Sequence, residues 1–294
     1  MPIQPLAEVF GFPADSFSEQ ASRYRRLRLC PYHNVVASCT KDKAANPLGV
    51  CSVLANGKPA ITCPIRFRQD WRISEDAARF FFPPGTQWTQ LSEVQLNDRN
   101  GQSAGNIDHV LIAYDEHDRI LDFGSLEVQA VYISGNVRRP FEAYVKDPRR
   151  HLAQDWTGGG FPRPDYLSSS RKRLAPQLIF KGGILNAWKK KQAVALNSGF
   201  YETLPKLPEV DPSDANLAWF VYDLERTALS DNYQLKLVKT VFTDFRPALK
   251  KITTPLTGNL EDFLEKLQEK LGEKLENISR TPSANAIFDA VAEE

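Results

Sequence analysis

Residues 124–136 read GSLEVQAVYISGN. Leu126, Val128, Ala130, Val131, Tyr132 and Ile133 make most of the stretch apolar, with a glycine near each end. β-Branched and aromatic residues at that density, bounded by glycine, predict a strand. Successive side chains of a strand point to opposite faces. Leu126 and Val128 therefore share one face, and Glu127 and Gln129 share the other. A carboxylate set against a layer this apolar needs a partner or a chemical task.

The sequence just before it supplies a partner. Residues 105–125, GNIDHVLIAYDEHDRILDFGS, read as a strand (HVLIAY), a turn (DEHD) and the start of the return strand (ILDF). Asp108 then stands at the entry of the first strand and Glu127 on the second. Two carboxylates on adjacent strands can share a hard divalent cation such as Mg²⁺, with the Val128 carbonyl and waters completing the shell. The arrangement Asp108, eighteen residues, Glu127-Val128-Gln129 matches the loose nuclease pattern PD…(D/E)xK, with Gln129 at the Lys position and Ile107 at the Pro position. The plainer alternative is an Asp in a turn and a Glu on a solvent face. Asp115, Glu116 and Asp118 read as turn residues of that kind.

Composition narrows the class. The chain has 294 residues, 42% hydrophobic and 25% charged, as in a globular protein with a sizeable core. No apolar run approaches the roughly 20 residues of a membrane span. The N-terminus, MPIQPLAEVFGFPADSF, lacks the basic start and apolar core of a secretion signal, so a cytoplasmic location is expected. The net charge of +1 hides an uneven layout. From Arg138 to Lys191 there are thirteen Lys or Arg against four acids, a surplus of +9, so the remainder carries −8. Such a middle either forms solvated faces or meets a polyanion.

Four cysteines, Cys30, Cys39, Cys51 and Cys63, fall within 34 residues, and none follows. Two disulfides would need an oxidising compartment that nothing here suggests. One tetrahedral four-thiolate site for iron or zinc is the other reading. The spacing C-x8-C-x11-C-x11-C is not that of a zinc ribbon. Such a closed site has no open coordination position and is structural. It would staple a loop-rich N-terminal third and present Arg66, Arg68 and Arg72.

Several of these features occur together in one order: AEVFGF, then CPY, SCTK, PLGVCSV and ITCPIRF, then IDHVL, LEVQAVYISGN and RKRLAPQLIFKG. In this the sequence resembles the NotI-type family of type II restriction endonucleases, from about residue 7 to about residue 200. The resemblance implies an α/β (α+β) fold with a PD-(D/E)xK core, a mixed sheet flanked by helices, behind an N-terminal four-cysteine site holding structural iron. The sequence itself does not separate iron from zinc. The family's catalytic Asp, Glu and Gln fall on Asp108, Glu127 and Gln129. Asp108 and Glu127 would hold Mg²⁺, and Gln129 would orient the attacking water. Glu93, in LSEVQLND, is a further candidate acid, on an expected helix. A palindromic site cut on both strands calls for a homodimer. A restriction enzyme also implies a cognate DNA methyltransferase, and the resemblance leans toward a GC-rich site.

The expected organisation is a metal-binding and DNA-contacting region at 1–75, a catalytic core at 76–250 and a helical segment at 251–294. In the core, TGGGFPRPDY reads as a boundary or DNA-facing loop. SSSRKRLAPQLIF reads as a helix capped by Ser170, and KGG as a loop before a strand, AVALN. Arg171, Arg173, Lys181, Lys189 and Lys190 are candidate contacts to double-stranded DNA. Residues 260, 263, 264, 267, 271, 275 and 278 mark an amphipathic helix, expected to pack on the body rather than to form a dimer. Two other functions remain: a repair or junction-resolving nuclease on the same core, and a non-catalytic four-cysteine DNA-binding module.

Overall fold

The structure, a computed structural model, describes residues 4–42, 46–156, 161–228 and 230–280. The described residues up to 253 form one compact unit and those from 254 to 280 another.

The first unit opens with a four-stranded sheet of β1 (Leu6–Val9), β2 (Phe12–Pro13), β3 (Val50–Ala55) and β4 (Lys58–Ile61), in the order β2-β1-β3-β4. Its inner face is unusual in holding an ion pair. Glu8 accepts from Arg66 Nε at 2.8 Å and from Ser52 Oγ at 2.7 Å, and the Arg66 guanidinium lies 4.1 Å from the Tyr32 ring centroid. Arg66 is 1% exposed, so it is not presented to a partner as expected. A fully buried guanidinium needs acceptors, and Gln69 and the Tyr233 carbonyl each take one N–H from its other two nitrogens.

The central sheet has six strands: β5 (Trp88–Asn97), β6 (Ser103–Tyr114), β7 (Ile120–Gln129), β10 (Gln192–Asn197), β11 (Leu217–Glu225) and β12 (Gln234–Thr243). A small pair, β8 (Tyr132–Ser134) and β9 (Arg163–Asp165), lies apart. The order is β12-β11-β10-β7-β6-β5. β5, β6 and β7 run antiparallel, β10 pairs parallel with both β7 and β11, and β12 closes the sheet antiparallel. The sheet is therefore mixed, as expected. The hairpin read from the sequence is present as β6 and β7.

Both faces are covered. On one, the helix Arg72–Phe81 lays Ile73, Ala77 and Phe81 against Leu126, Val128 and Ala195. Gly124 permits that approach, because a Cβ there would lie 2.5 Å from the Phe81 ring. On the other face, Leu174 and Leu178 pack with Val194, Leu196, Trp219 and Val221. These two leucines sit on a continuous helical run, residues 166–187. With both sides covered, the last six residues of β7 are all buried.

The helical run departs from expectation at both ends. It starts earlier than the serine cluster suggests: Asp165 is the N-cap and accepts from Ser168 N at 2.9 Å, while Ser170 lies inside the helix. It also continues through Gly182 and Gly183, where a loop is expected, to Ala187. Two turns of it, Ser170–Leu174 and Leu178–Gly182, are π-helical and flank Pro176. Proline lacks an N–H and crowds the carbonyl four residues earlier, and a widened turn relieves both problems. LSEVQLN forms most of β5 instead of a helix. Of TGGGFPRPDY, residues 157–160 lie outside the described residues. In the second unit, the helix Leu260–Arg280 matches the predicted periodicity. Leu260, Phe263, Leu264, Leu267, Leu271 and Leu275 are all exposed.

Candidate active site

Asp108, Glu127 and Gln129 come together at the middle of the central sheet. The β6–β7 register pairs His109 with Leu126, and its continuation sets Asp108 opposite Glu127. Residues directly opposite on antiparallel strands have side chains on the same face about 5 Å apart at Cβ. Asp108 Oδ2 also accepts from Val128 N at 2.7 Å, which fixes the Asp108 side chain against β7. Glu127 and Gln129 face the 166–187 helix, and Leu126 and Val128 face the opposite core, as the alternation predicts.

That helix contributes two residues the sequence did not assign to this cleft. The Lys181 ammonium donates to Glu127 Oε2 at 2.7 Å and to the Asn106 carbonyl at 2.6 Å. Gln177 accepts a hydrogen bond from Gln129 Nε2. Lys181, expected to meet DNA phosphate, is 4% exposed and committed to the acidic cleft. Among the described residues, Glu127 Oε1 and Gln129 Oε1 are buried without a hydrogen-bond partner. An unmatched buried oxygen costs about 1–3 kcal/mol, so both are poised for a ligand. Burial, and then the nearby Asp108 charge, push the Glu127 carboxyl up to about 8, with the Lys181 ammonium opposing. A perturbed acid in a cleft is a functional-site signal.

These oxygen donors suit Mg²⁺, which needs only one or two carboxylates and keeps several waters. A third acid does not join them. Glu93 lies on β5, level with Asp108 in the register, but its side chain is exposed and its φ of +56° breaks the regular alternation. His109 points away from the cleft. Its Nδ1 lies 2.8 Å from Gln90 Nε2 and 2.9 Å from Ser92 Oγ, and burial holds its ring down to about 4.

The four cysteines line one small cavity, together with Phe10, Leu29, Leu48, Val50 and Ile65. Cys30 and Cys39 flank a loop closed by Cys30 N to Ala37 O at 2.8 Å and Cys39 N to Arg28 O at 2.9 Å. Cys51 comes from β3, and Cys63 precedes the 3₁₀ turn Pro64–Trp71. All four are free thiols. Burial pushes Cys30 up to about 11 and raises Cys39 and Cys51 as well. The soft donor set suits iron or zinc. Among the described residues, however, no three His, Cys, Asp or Glu side chains stand in metal-holding geometry, so the expected ligand arrangement is not seen.

The other basic candidates sit at the surface. Arg171 and Lys189 are exposed, and the Arg173 guanidinium lies 5.2 Å from the Tyr132 ring centroid. Lys190 pairs with Asp122 at 2.6 Å. No described helix is long and apolar enough to cross a membrane.

A comparison with curated proteins gives no match. The family model for the restriction endonuclease NotI matches residues 15–235, a span that contains the four cysteines, the β6–β7 hairpin and the helix behind it. The chain belongs to the NotI restriction endonuclease family.

Proposed function

We propose that the chain is a type II, Mg²⁺-dependent endonuclease of the PD-(D/E)xK kind that hydrolyses double-stranded DNA at a specific site. The observation that carries this reading is the placement of Asp108 opposite Glu127, with a buried, unmatched Glu127 oxygen beside it. Asp108 and Glu127 hold the cation. Bound there, Mg²⁺ supplies charge neutralisation at the phosphate and a water of lowered pKa. Asp108 is oriented by the Val128 N–H, so its other oxygen is left for the cleft. Gln129 orients the attacking water by hydrogen bonding, and Gln177 steadies its amide. Water attacks phosphorus in line with the departing 3′ oxygen, leaving a 5′ phosphate and a 3′ hydroxyl.

The same reading extends to partners. Two copies related by a two-fold axis would cut both strands of a palindrome, GC-rich by family resemblance, with a cognate methyltransferase protecting the host in the cytoplasm. We also propose iron or zinc in the cysteine cavity, supported by the convergence of four thiols on one space. A cleavage assay tests the central claim. Unmethylated GC-rich genomic DNA is incubated with Mg²⁺ or chelator, beside Asp108→Ala and Glu127→Ala. Discrete fragments that need Mg²⁺ and vanish in both variants are expected. Intact DNA from a chain that still binds duplex would make it a DNA-binding module. Preference for branched over linear duplex would make it a junction-resolving enzyme.

A further inference from the structure

The catalytic strand carries glutamine where the general nuclease pattern places lysine, so Gln129 brings no positive charge to the cleft. The helix behind the strand does. Lys181 lies 54 residues after Glu127 in sequence, yet its ammonium sits on Glu127 Oε2 and on the Asn106 carbonyl. Its stem passes over Gly105, where the Cδ carbon lies 3.7 Å from the position a Cβ would take. Two acceptors use two of the three ammonium donors and leave one for a further oxygen. Gln177, four residues earlier on the same helix face, meets Gln129, two residues beyond Glu127. Two successive positions of the helix thus engage two successive site residues of the strand. The π turn Leu178–Gly182 sets that phase, and π turns of this kind are frequent at functional sites.

Resting on the nuclease reading above, we propose that Lys181 is a catalytic residue: its ammonium meets the scissile phosphate and supplies the positive charge that the strand lacks. In the step, the water oxygen forms a bond to phosphorus and the bond to the 3′ oxygen breaks. The electron pair leaves with that oxygen, which takes a proton from solvent, and the attacking water releases one to solvent. Lys181 transfers no proton. It faces the non-bridging oxygens, where negative charge builds in the transition state, from a buried site where the interaction is not diluted by solvent. A purely structural counter-ion for Glu127 would account for the ion pair but would be indifferent to the residue at position 129.

The test is single-turnover cleavage of unmethylated GC-rich genomic DNA with Mg²⁺. It compares the parent chain with Lys181→Met, Lys181→Gln and the double variant Gln129→Lys with Lys181→Met. Duplex binding is measured with Ca²⁺ in place of Mg²⁺, and folding by thermal melting. The expected result is a loss of about 100-fold in rate for Lys181→Met, with duplex binding held within about threefold. The double variant should regain at least about tenfold. Lys181→Gln keeps a donor for Glu127 and carries the test if Lys181→Met does not fold. Cleavage within about threefold of the parent by either folded single variant overturns the proposal and leaves the nuclease reading standing. A rate loss matched by an equal loss of duplex binding makes Lys181 a DNA contact and also overturns it. A parent chain that cleaves nothing overturns both.

Discussion

The cleft at Asp108 and Glu127 and the cavity at the four cysteines both gather residue types that ligate metals, but they are prepared in different ways. The cleft is already polar: two carboxyl groups, of which Glu127 is held up to about 8, an ammonium, and backbone groups that fix them. It keeps its shape through hydrogen bonds between a strand and a helix. The cavity contains four thiols among Phe10, Leu29, Leu48 and Ile65, and burial pushes those of Cys30, Cys39 and Cys51 up. A site built from polar side chains can stand preformed. A site built from thiols takes its ligand geometry only when a cation replaces the protons.

The largest expected effect on that contrast is at the cleft. Glu127→Gln keeps the volume and removes the charge, and cleavage should fall about a thousandfold in a quenched-flow assay, with the melting temperature kept or raised. Retained activity would move catalysis elsewhere.

The cavity comes next. Elemental analysis should find one iron or zinc per chain, and its removal, or Cys51→Ser, should lower the melting point by more than about 10 °C. Equal melting of the loaded and stripped chain would make the cavity an ordinary apolar pocket.

A smaller effect follows from pH. Protons and Mg²⁺ compete for Glu127, whose carboxyl is held up to about 8 before the cation binds. Mg²⁺ affinity should therefore weaken by up to about tenfold per unit as pH falls below 8, and more Mg²⁺ should shift the cleavage profile toward acid. A profile unmoved by Mg²⁺ concentration would sink this assignment. Stability runs in the opposite sense. A carboxyl raised in the folded state stabilises below its unfolded value, and that contribution fades as pH rises through 8.

The smallest effect gauges what an unmatched polar group costs this fold. Both ring nitrogens of His151 are buried without a hydrogen-bond partner among the described residues, its ring packs against Tyr144 and Trp156, and burial holds it down to about 4. A histidine kept neutral gives stability that is full above about 6.5 and lost as pH falls through 4. His151→Phe should raise the melting point by about 2–4 °C at pH 5. No gain would mean that the ring contacts depend on imidazole itself.

The hairpin was legible because period-two alternation and a turn cluster occur together, and they set Asp108 and Glu127 on one face. The strand AVALN was legible as a short apolar run. LSEVQLN was not: Leu91, Val94 and Leu96 fit neither three- nor two-residue spacing cleanly, and only pairing with β6 settles it. Lys181 was not legible either. It stands alone between Arg173 and Lys189 in a basic stretch of the chain, and no local pattern tells a lysine that turns inward from one that faces solvent. The glycines after it suggested a loop, whereas Gly182 is helical and is small because Phe245 packs where a side chain would stand.

The two π turns around Pro176 have a consequence for how the chain can change. Each holds roughly one residue more per turn than a regular helix needs, so the run behaves as a dial set two clicks forward. Returning one turn to ordinary pitch at the same chain length would rotate everything after it by about 100°. The sheet and the helix would both survive, yet the lysine would turn its back on the acids.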